Sequence, residues 1–234
     1  MIDTEEELAG LIDQTNLEMG ASEQEITAFC ERSVPFGFRA LCLLPNLVEV
    51  ALPILGGAPV RLAACVSFPL GLDRPEVKAH EAGELCDLGV DEIDMVVHTG
   101  RAREGDLRWV EREVAAVRRV VAPPRLLKVI IEIPVLTGEL VGMVGIAAEA
   151  GGADLVKTST GYKPLGIRAT SAEDVRLLRS RLSPSTGIKA AGGIRTLEQL
   201  EGMVAAGATR VGASRGIEIV EEWRSRRAGD PSCR

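Results

Sequence analysis

Leu126-Leu-Lys-Val-Ile-Ile-Glu132, an amphipathic run over residues 138–150, and Asp154-Leu-Val-Lys-Thr158 together decide the fold. Two short runs rich in aliphatic and β-branched residues flank a stretch of helical period. Strand, helix and strand in that order form the unit of a parallel sheet.

The same alternation extends outward in both directions. It predicts strands at residues 11–13, 39–43, 61–67, 92–97, 126–132, 154–158, 187–190 and 209–212. Helices are predicted at 22–34, 46–55, 75–88, 106–120, 138–150, 171–182, 197–206 and 217–223. Eight strands, each followed by a helix, specify a (β/α)8 TIM barrel, and 234 residues is an ordinary length for one such domain. A doubly wound open sheet would place a Gly-rich turn after its first strand, and Asp13-Gln-Thr-Asn16 is no such turn. The chain therefore reads as one barrel domain over residues 1–223. A loose tail is expected over 224–234, where apolar periodicity stops.

Hydrophobic residues make up 46% of the chain and charged residues 26%, enough apolar surface for a large core. A net charge of −7 argues against nucleic acid or an anionic membrane as partner, because both need clustered Lys and Arg. No run of about 18 apolar residues occurs, and the first residues are acidic where a signal peptide is basic, so a cytoplasmic protein is expected. Five scattered cysteines (Cys30, Cys42, Cys65, Cys86, Cys233) and two histidines (His80, His98) form no metal-ligand spacing, so no metal site is expected.

Among 27 basic residues only five are Lys: Lys78, Lys128, Lys157, Lys163 and Lys189. Where a generic cation is wanted this chain uses Arg, so a Lys inside a strand points to something Arg cannot do. Arg does not deprotonate in proteins, whereas Lys can become a nucleophilic amine. Lys128, Lys157 and Lys189 all fall in predicted strands, and period 2 places Lys128, Ile130 and Glu132 on one face of theirs. If Lys157 and Lys189 face the barrel interior from consecutive strands, their charges repel, and one amine is pushed toward neutrality and able to attack a carbonyl. The plainer alternative makes each an ion-pair partner of Asp13, Asp94 or Glu132, and it is favoured for Lys128. Asp94, third in its predicted strand and in phase with Val96 and His98, could neutralise the lysines or relay protons. Gly192-Gly-Ile-Arg-Thr196 and Gly212-Ala-Ser-Arg-Gly216 follow the last two strands, where barrels commonly bind phosphate on backbone N–H groups.

The segments around Asp13–Thr15, Ser67–Gly71, Asp91–Val96, Lys128–Glu132, Lys157–Gly161 and Lys189–Thr196 resemble the deoxyribose-phosphate aldolase family in order and spacing, from about Leu11 to Ile219. The resemblance implies reversible cleavage of a phosphorylated deoxy sugar with no cofactor. Lys157 would form the Schiff base, Lys189 would lower its pKa, and Asp94 would relay protons. Phosphate would rest on Gly161, Gly192, Gly193, Gly212 and Ser214, with Arg215 beside them. Asp13, Thr15, Cys42 and Thr160 would line the pocket, and the chain would assemble as a homodimer or higher homo-oligomer. The alternatives are a related Schiff-base aldolase for another hydroxy-aldehyde and a non-catalytic sugar-phosphate-binding barrel. The chain departs from the family pattern at Tyr162, where Phe or Lys is usual, and at Arg215, where Ser is usual. It also has Gln14 in place of a common His.

Overall fold

A computed structural model describes residues 2–162, 166 and 168–229. Lys163 and Cys233 lie outside the described residues. A short helix α1 (Glu5–Gly10) precedes β1 (Ile12–Thr15), α2 (Glu23–Ser33), β2 (Ala40–Leu43), α3 (Val48–Leu55), β3 (Arg61–Val66), α4 (Pro75–Leu88) and β4 (Glu92–Val96). The chain continues through α5 (Thr99–Arg103), α6 (Leu107–Arg118), β5 (Leu126–Ile130), α7 (Leu140–Ala150), β6 (Leu155–Lys157), α8 (Ala172–Arg179), β7 (Gly187–Ala191), α9 (Leu197–Ala205), β8 (Arg210–Ala213) and α10 (Gly216–Ala228). The eight strands pair in parallel in sequence order, and β8 closes on β1 with Asp13 opposite Gly212.

The predicted barrel is therefore present, with every predicted strand within two residues of its observed bounds. Two short helices, α1 and α5, have no counterpart in the predicted elements: at six and five residues they offer too few turns for a periodic signal. Capping boxes begin α2, where Ser22 and Glu25 exchange hydrogen bonds, and α8, where Ser171 and Asp174 do the same. Helix α10 runs to Ala228, so residues 224–228, expected in the loose tail, are helical; Arg224 is tied to Glu5 of α1.

Two faces of the sheet bury different chemistry. Outward residues such as Leu41, Leu62, Ile93, Met95, Val129, Val156 and Ile188 pack against the helices in the main apolar core. Inside the barrel, β2 and β3 bury only small side chains, Ala40, Cys42, Ala63 and Cys65, with Arg61 at the solvent end of β3. That leaves room for long charged side chains reaching in from the other strands. Among the described residues no helix is long and apolar enough to cross a membrane.

Candidate active site

Lys157 and Lys189 stand opposite one another in the β6–β7 register. Asp94, on β4 across the barrel, receives both on one oxygen: Lys157 Nζ lies 2.8 Å and Lys189 Nζ 2.7 Å from Asp94 Oδ2. Its other oxygen, Oδ1, lies 2.8 Å from Lys128 Nζ. One layer down, Asp13 contacts Lys128 at 2.9 Å, Lys189 at 2.5 Å and Arg210 at 2.6 Å. Glu92 holds Lys128 at 2.6 Å and Arg210 at 3.1 Å. Four buried cations thus face three carboxylates, one positive charge in excess, while the half-exposed Arg61 reaches Glu92 at 3.4 Å from the solvent side.

Burial alone pushes the Lys157 ammonium down, but the carboxylate of Asp94, with the nearby Cys65 and Cys42 sulfurs, outweighs it and holds the group above the ordinary lysine range. The expected depression by a neighbouring ammonium is reversed here because Asp94 lies between the two cations. Burial likewise pushes Asp94 up, and Lys128, Lys157 and Lys189 override it, keeping the carboxyl well below its usual range. Lys128 is held well above its ordinary value, since Asp13, Asp94 and Glu92 together outweigh its burial. Lys128 is therefore the fully paired ammonium favoured from its place in the strand.

A cleft of about 820 Å³ opens above this network, at the carboxyl ends of the strands. Of the three strand lysines, Lys157 is the one that lines it. Thr15, Thr160, Gly161, Gly192, Gly193, Gly212 and Ser214 line it too, as expected. Three expectations are corrected. Asp13 lies beneath the floor, absorbed by Lys128, Lys189 and Arg210. Cys42 is also buried beneath it, with its sulfur 3.9 Å from Asp94 Oδ2 and 4.0 Å from Cys65 Sγ. Arg215 is the exposed N-cap of α10 and lies outside the cleft lining, because the Gln14 side chain accepts from Gly216 N at 2.8 Å and fixes the helix start there.

Glu132 also departs from its expected place on the strand face beside Lys128. Strand β5 ends at Ile130, and Glu132 turns into the left-handed region at φ 53. Its carboxylate accepts from Ser159 Oγ at 2.6 Å and Thr160 N at 3.2 Å, so it holds the loop after β6 and pairs with none of the described lysines. His98, read as in phase with Asp94, has left the strand and caps α5, its Nδ1 accepting from Arg101 N at 3.3 Å.

Glu92 and Arg210 join the site without having been marked by the sequence reading, although each lies two residues from Asp94 or Gly212 and period 2 puts them on the same faces. Arg168, which lines the cleft, sits in a loop that carries no such signal, whereas Arg195 and the edge-on pair Phe68–Tyr162 fall in segments the sequence reading had already marked.

No family model matches the chain. It is 41% identical over 224 residues to the deoxyribose-phosphate aldolase of Methanothermobacter thermautotrophicus, spanning 95% of this chain and 98% of that protein. It is 44% identical over 214 residues to a deoxyribose-phosphate aldolase of Thermus thermophilus, spanning 92% and 96%. Among solved structures, the aldolase QR15 superposes with a TM-score of 0.88 at 36% identity, covering 97% of this chain and 99% of that one. The tetrameric deoxyribose phosphate aldolase of Aeropyrum pernix superposes at 0.84 with 30% identity, covering 95% and 93%.

Proposed function

The chain belongs to the deoxyribose-phosphate aldolase family, and on that premise we propose that it reversibly cleaves 2-deoxy-D-ribose 5-phosphate into D-glyceraldehyde 3-phosphate and acetaldehyde through a Schiff base on Lys157. The observation that carries the assignment is the position of Lys157 at the junction of two compartments. Its amine lines the cleft, while Asp94 and Lys189 lie directly beneath it.

Lys157 must lose a proton before it attacks. The interior holds one cation in excess, so that loss brings the buried network to neutrality, which offsets the cost of parting the amine from Asp94. The amine adds to C1 of the open-chain sugar, and loss of water leaves an iminium. Deprotonation of the C3 hydroxyl breaks the C2–C3 bond. Its electron pair moves into the iminium to form an enamine, and C3 departs as the aldehyde of glyceraldehyde 3-phosphate. Protonation of the enamine at C2 and hydrolysis release acetaldehyde and restore Lys157. Asp94 and Lys189 are placed to hold and return the protons.

The phosphoryl group is assigned to the turn at Gly192 and Gly193, both at positive φ, together with Gly161, Gly212 and Ser214. Gly212 has a second duty, since a Cβ there would stand 3.1 Å from Lys189 Cε. Assembly as a homo-oligomer is supported by the tetrameric relative. A cytoplasmic setting is supported by four buried free thiols, Cys30, Cys42, Cys65 and Cys86.

Borohydride reduction in the presence of acetaldehyde, followed by peptide mass mapping, tests the chemistry. A two-carbon adduct on Lys157 is expected. An adduct on another lysine, or none in folded protein, overturns the assignment.

A further inference from the structure

Three segments converge on the wall of the cleft: residues 160–162 after β6, residues 168 and 169 before α8, and residues 191–195 from the last residue of β7 onward. Thr170 N donates to Gly192 O at 3.0 Å, and Thr170 Oγ1 donates to Ala191 O at 2.6 Å. A Cβ on Gly193 would lie 2.6 Å from Ala169 Cβ, so glycine there is what allows the two segments to close. This stitching puts Arg168 beside the backbone turn to which the phosphoryl group is assigned.

The side chain is held as well as placed. Arg168 Nη1 and Nη2 donate to Asp174 Oδ2 and Oδ1 at 2.6 and 2.8 Å, and Nη1 also donates to Ala169 O at 3.1 Å. Asp174 is itself fixed by Ser171 N at 2.8 Å and Ser171 Oγ at 3.0 Å. Among the described residues three of the five guanidinium N–H groups are so engaged, which leaves two for a ligand. A guanidinium keeps its charge at any working pH and suits phosphate oxygens, and one already fixed in place loses little further freedom on binding. The chain as a whole is acidic, so a phosphate dianion needs a local cation; Arg215 lies outside the cleft, and of the two arginines that line it, Arg168 and Arg195, Arg168 is the one whose guanidinium is held by a carboxylate among the described residues.

We propose that Arg168 is the specificity-determining cation for the substrate's phosphoryl group, with Asp174 as its positioning residue. This rests on the aldolase reading above, and the opposing view makes the Arg168–Asp174 pair merely a brace for the start of α8.

Steady-state kinetics on 2-deoxyribose 5-phosphate and on unphosphorylated 2-deoxyribose, for the parent, Arg168→Met and Arg168→Lys, separate the two. Binding of inorganic phosphate by calorimetry is measured alongside. Arg168→Met should raise KM for the phosphorylated sugar about ten- to a hundredfold, leave its kcat and the turnover of 2-deoxyribose within about twofold, and weaken inorganic phosphate by a similar factor. Arg168→Lys should recover part of the loss, because it keeps the charge and lacks the fork. Equal losses on both sugars, or unchanged phosphate affinity in Arg168→Met, overturn the proposal in favour of the brace. If the parent cleaves neither sugar, the aldolase reading fails; phosphate binding lost in Arg168→Met then still upholds the cation, and binding retained overturns it.

Discussion

Lys157 and Lys189 face each other across adjacent strands and close on the same atom, Asp94 Oδ2, at 2.8 and 2.7 Å. The pair is asymmetric in access, since Lys157 reaches the cleft and Lys189 is fully buried. Lys157→Ala should therefore lower kcat by about three orders of magnitude or more and abolish borohydride trapping. Lys189→Met should leave a folded protein that still traps acetaldehyde on Lys157, only more slowly. Trapping at the parental rate in Lys189→Met would show that Lys189 plays no part in activating the amine.

Because Asp94 holds Lys157 above the ordinary lysine range, the free amine is the minor form at neutral pH and grows as pH rises. The initial rate of acetaldehyde trapping should climb about tenfold per pH unit between roughly pH 7 and 9. Asp94→Asn removes the largest raising influence and leaves burial opposed only by the Cys65 and Cys42 sulfurs, so the rise should level off at a lower pH while steady-state kcat falls. A trapping profile identical in the two proteins would count against Asp94 as the group that sets the amine.

The interior charge excess makes the buried ion pairs unequal. Asp13→Asn leaves four cations against two carboxylates and should cost about 3–5 kcal/mol in urea unfolding. Lys128→Met leaves three against three and should cost less, about 1–3 kcal/mol. The reverse order would refute the charge count. Asp13 and Asp94 are both held below the usual carboxylate range, for Asp13 because Lys128, Lys189 and Arg210 outweigh its burial. Their contribution is fully present above the unfolded value of about 3.9 and drains away as pH falls from there toward the depressed folded values, so acid unfolding should set in below roughly pH 4.

Glu132 braces the β6 loop from a strained backbone position, through Ser159 and Thr160. Glu132→Ala should leave the Ser159 hydroxyl and Thr160 N–H without their partner and let the loop that carries Gly161 drift. A KM increase of several-fold, with a stability loss of about 1–3 kcal/mol, is expected from kinetics and thermal unfolding. Unchanged KM would show that the loop holds its place without the carboxylate.

The buried Lys78–Glu113 pair does comparable work behind β4. Lys78 Nζ donates to Glu113 at 2.6 Å and to Val96 O at 2.8 Å, while Glu113 accepts from His98 N at 2.8 Å. Burial pushes Lys78 down and Glu113 up, so each charge persists through its partner. Lys78→Met should cost about 3–5 kcal/mol by leaving a buried carboxylate unpaired. The double variant Lys78→Met, Glu113→Leu should recover part of that loss, and a cost equal to the sum of the two single variants would deny the coupling.

Periodicity alone determined the barrel, because alternating strand and helix patterns of this length admit few closed arrangements. The scarcity of lysine against arginine singled out Lys157 and Lys189, and glycine placement marked the turn at Gly192 and Gly193. All of these are local properties, written within a few residues of one another. What tertiary structure decided is which charges meet. Asp94 lies far from Lys157 and Lys189 in the chain, yet it takes both on one oxygen. That contact reverses the repulsion expected of two neighbouring ammoniums. Lys128, Lys189 and Arg210 hold Asp13 in the barrel beneath the cleft, and a hydrogen bond from Gly216 to Gln14 sets Arg215 outside it. Loop residues such as Arg168 carry no period, so their place at the cleft follows only from how the β6 and β7 loops pack. Electrostatic energy depends on distance through space, and the sequence records only distance along the chain.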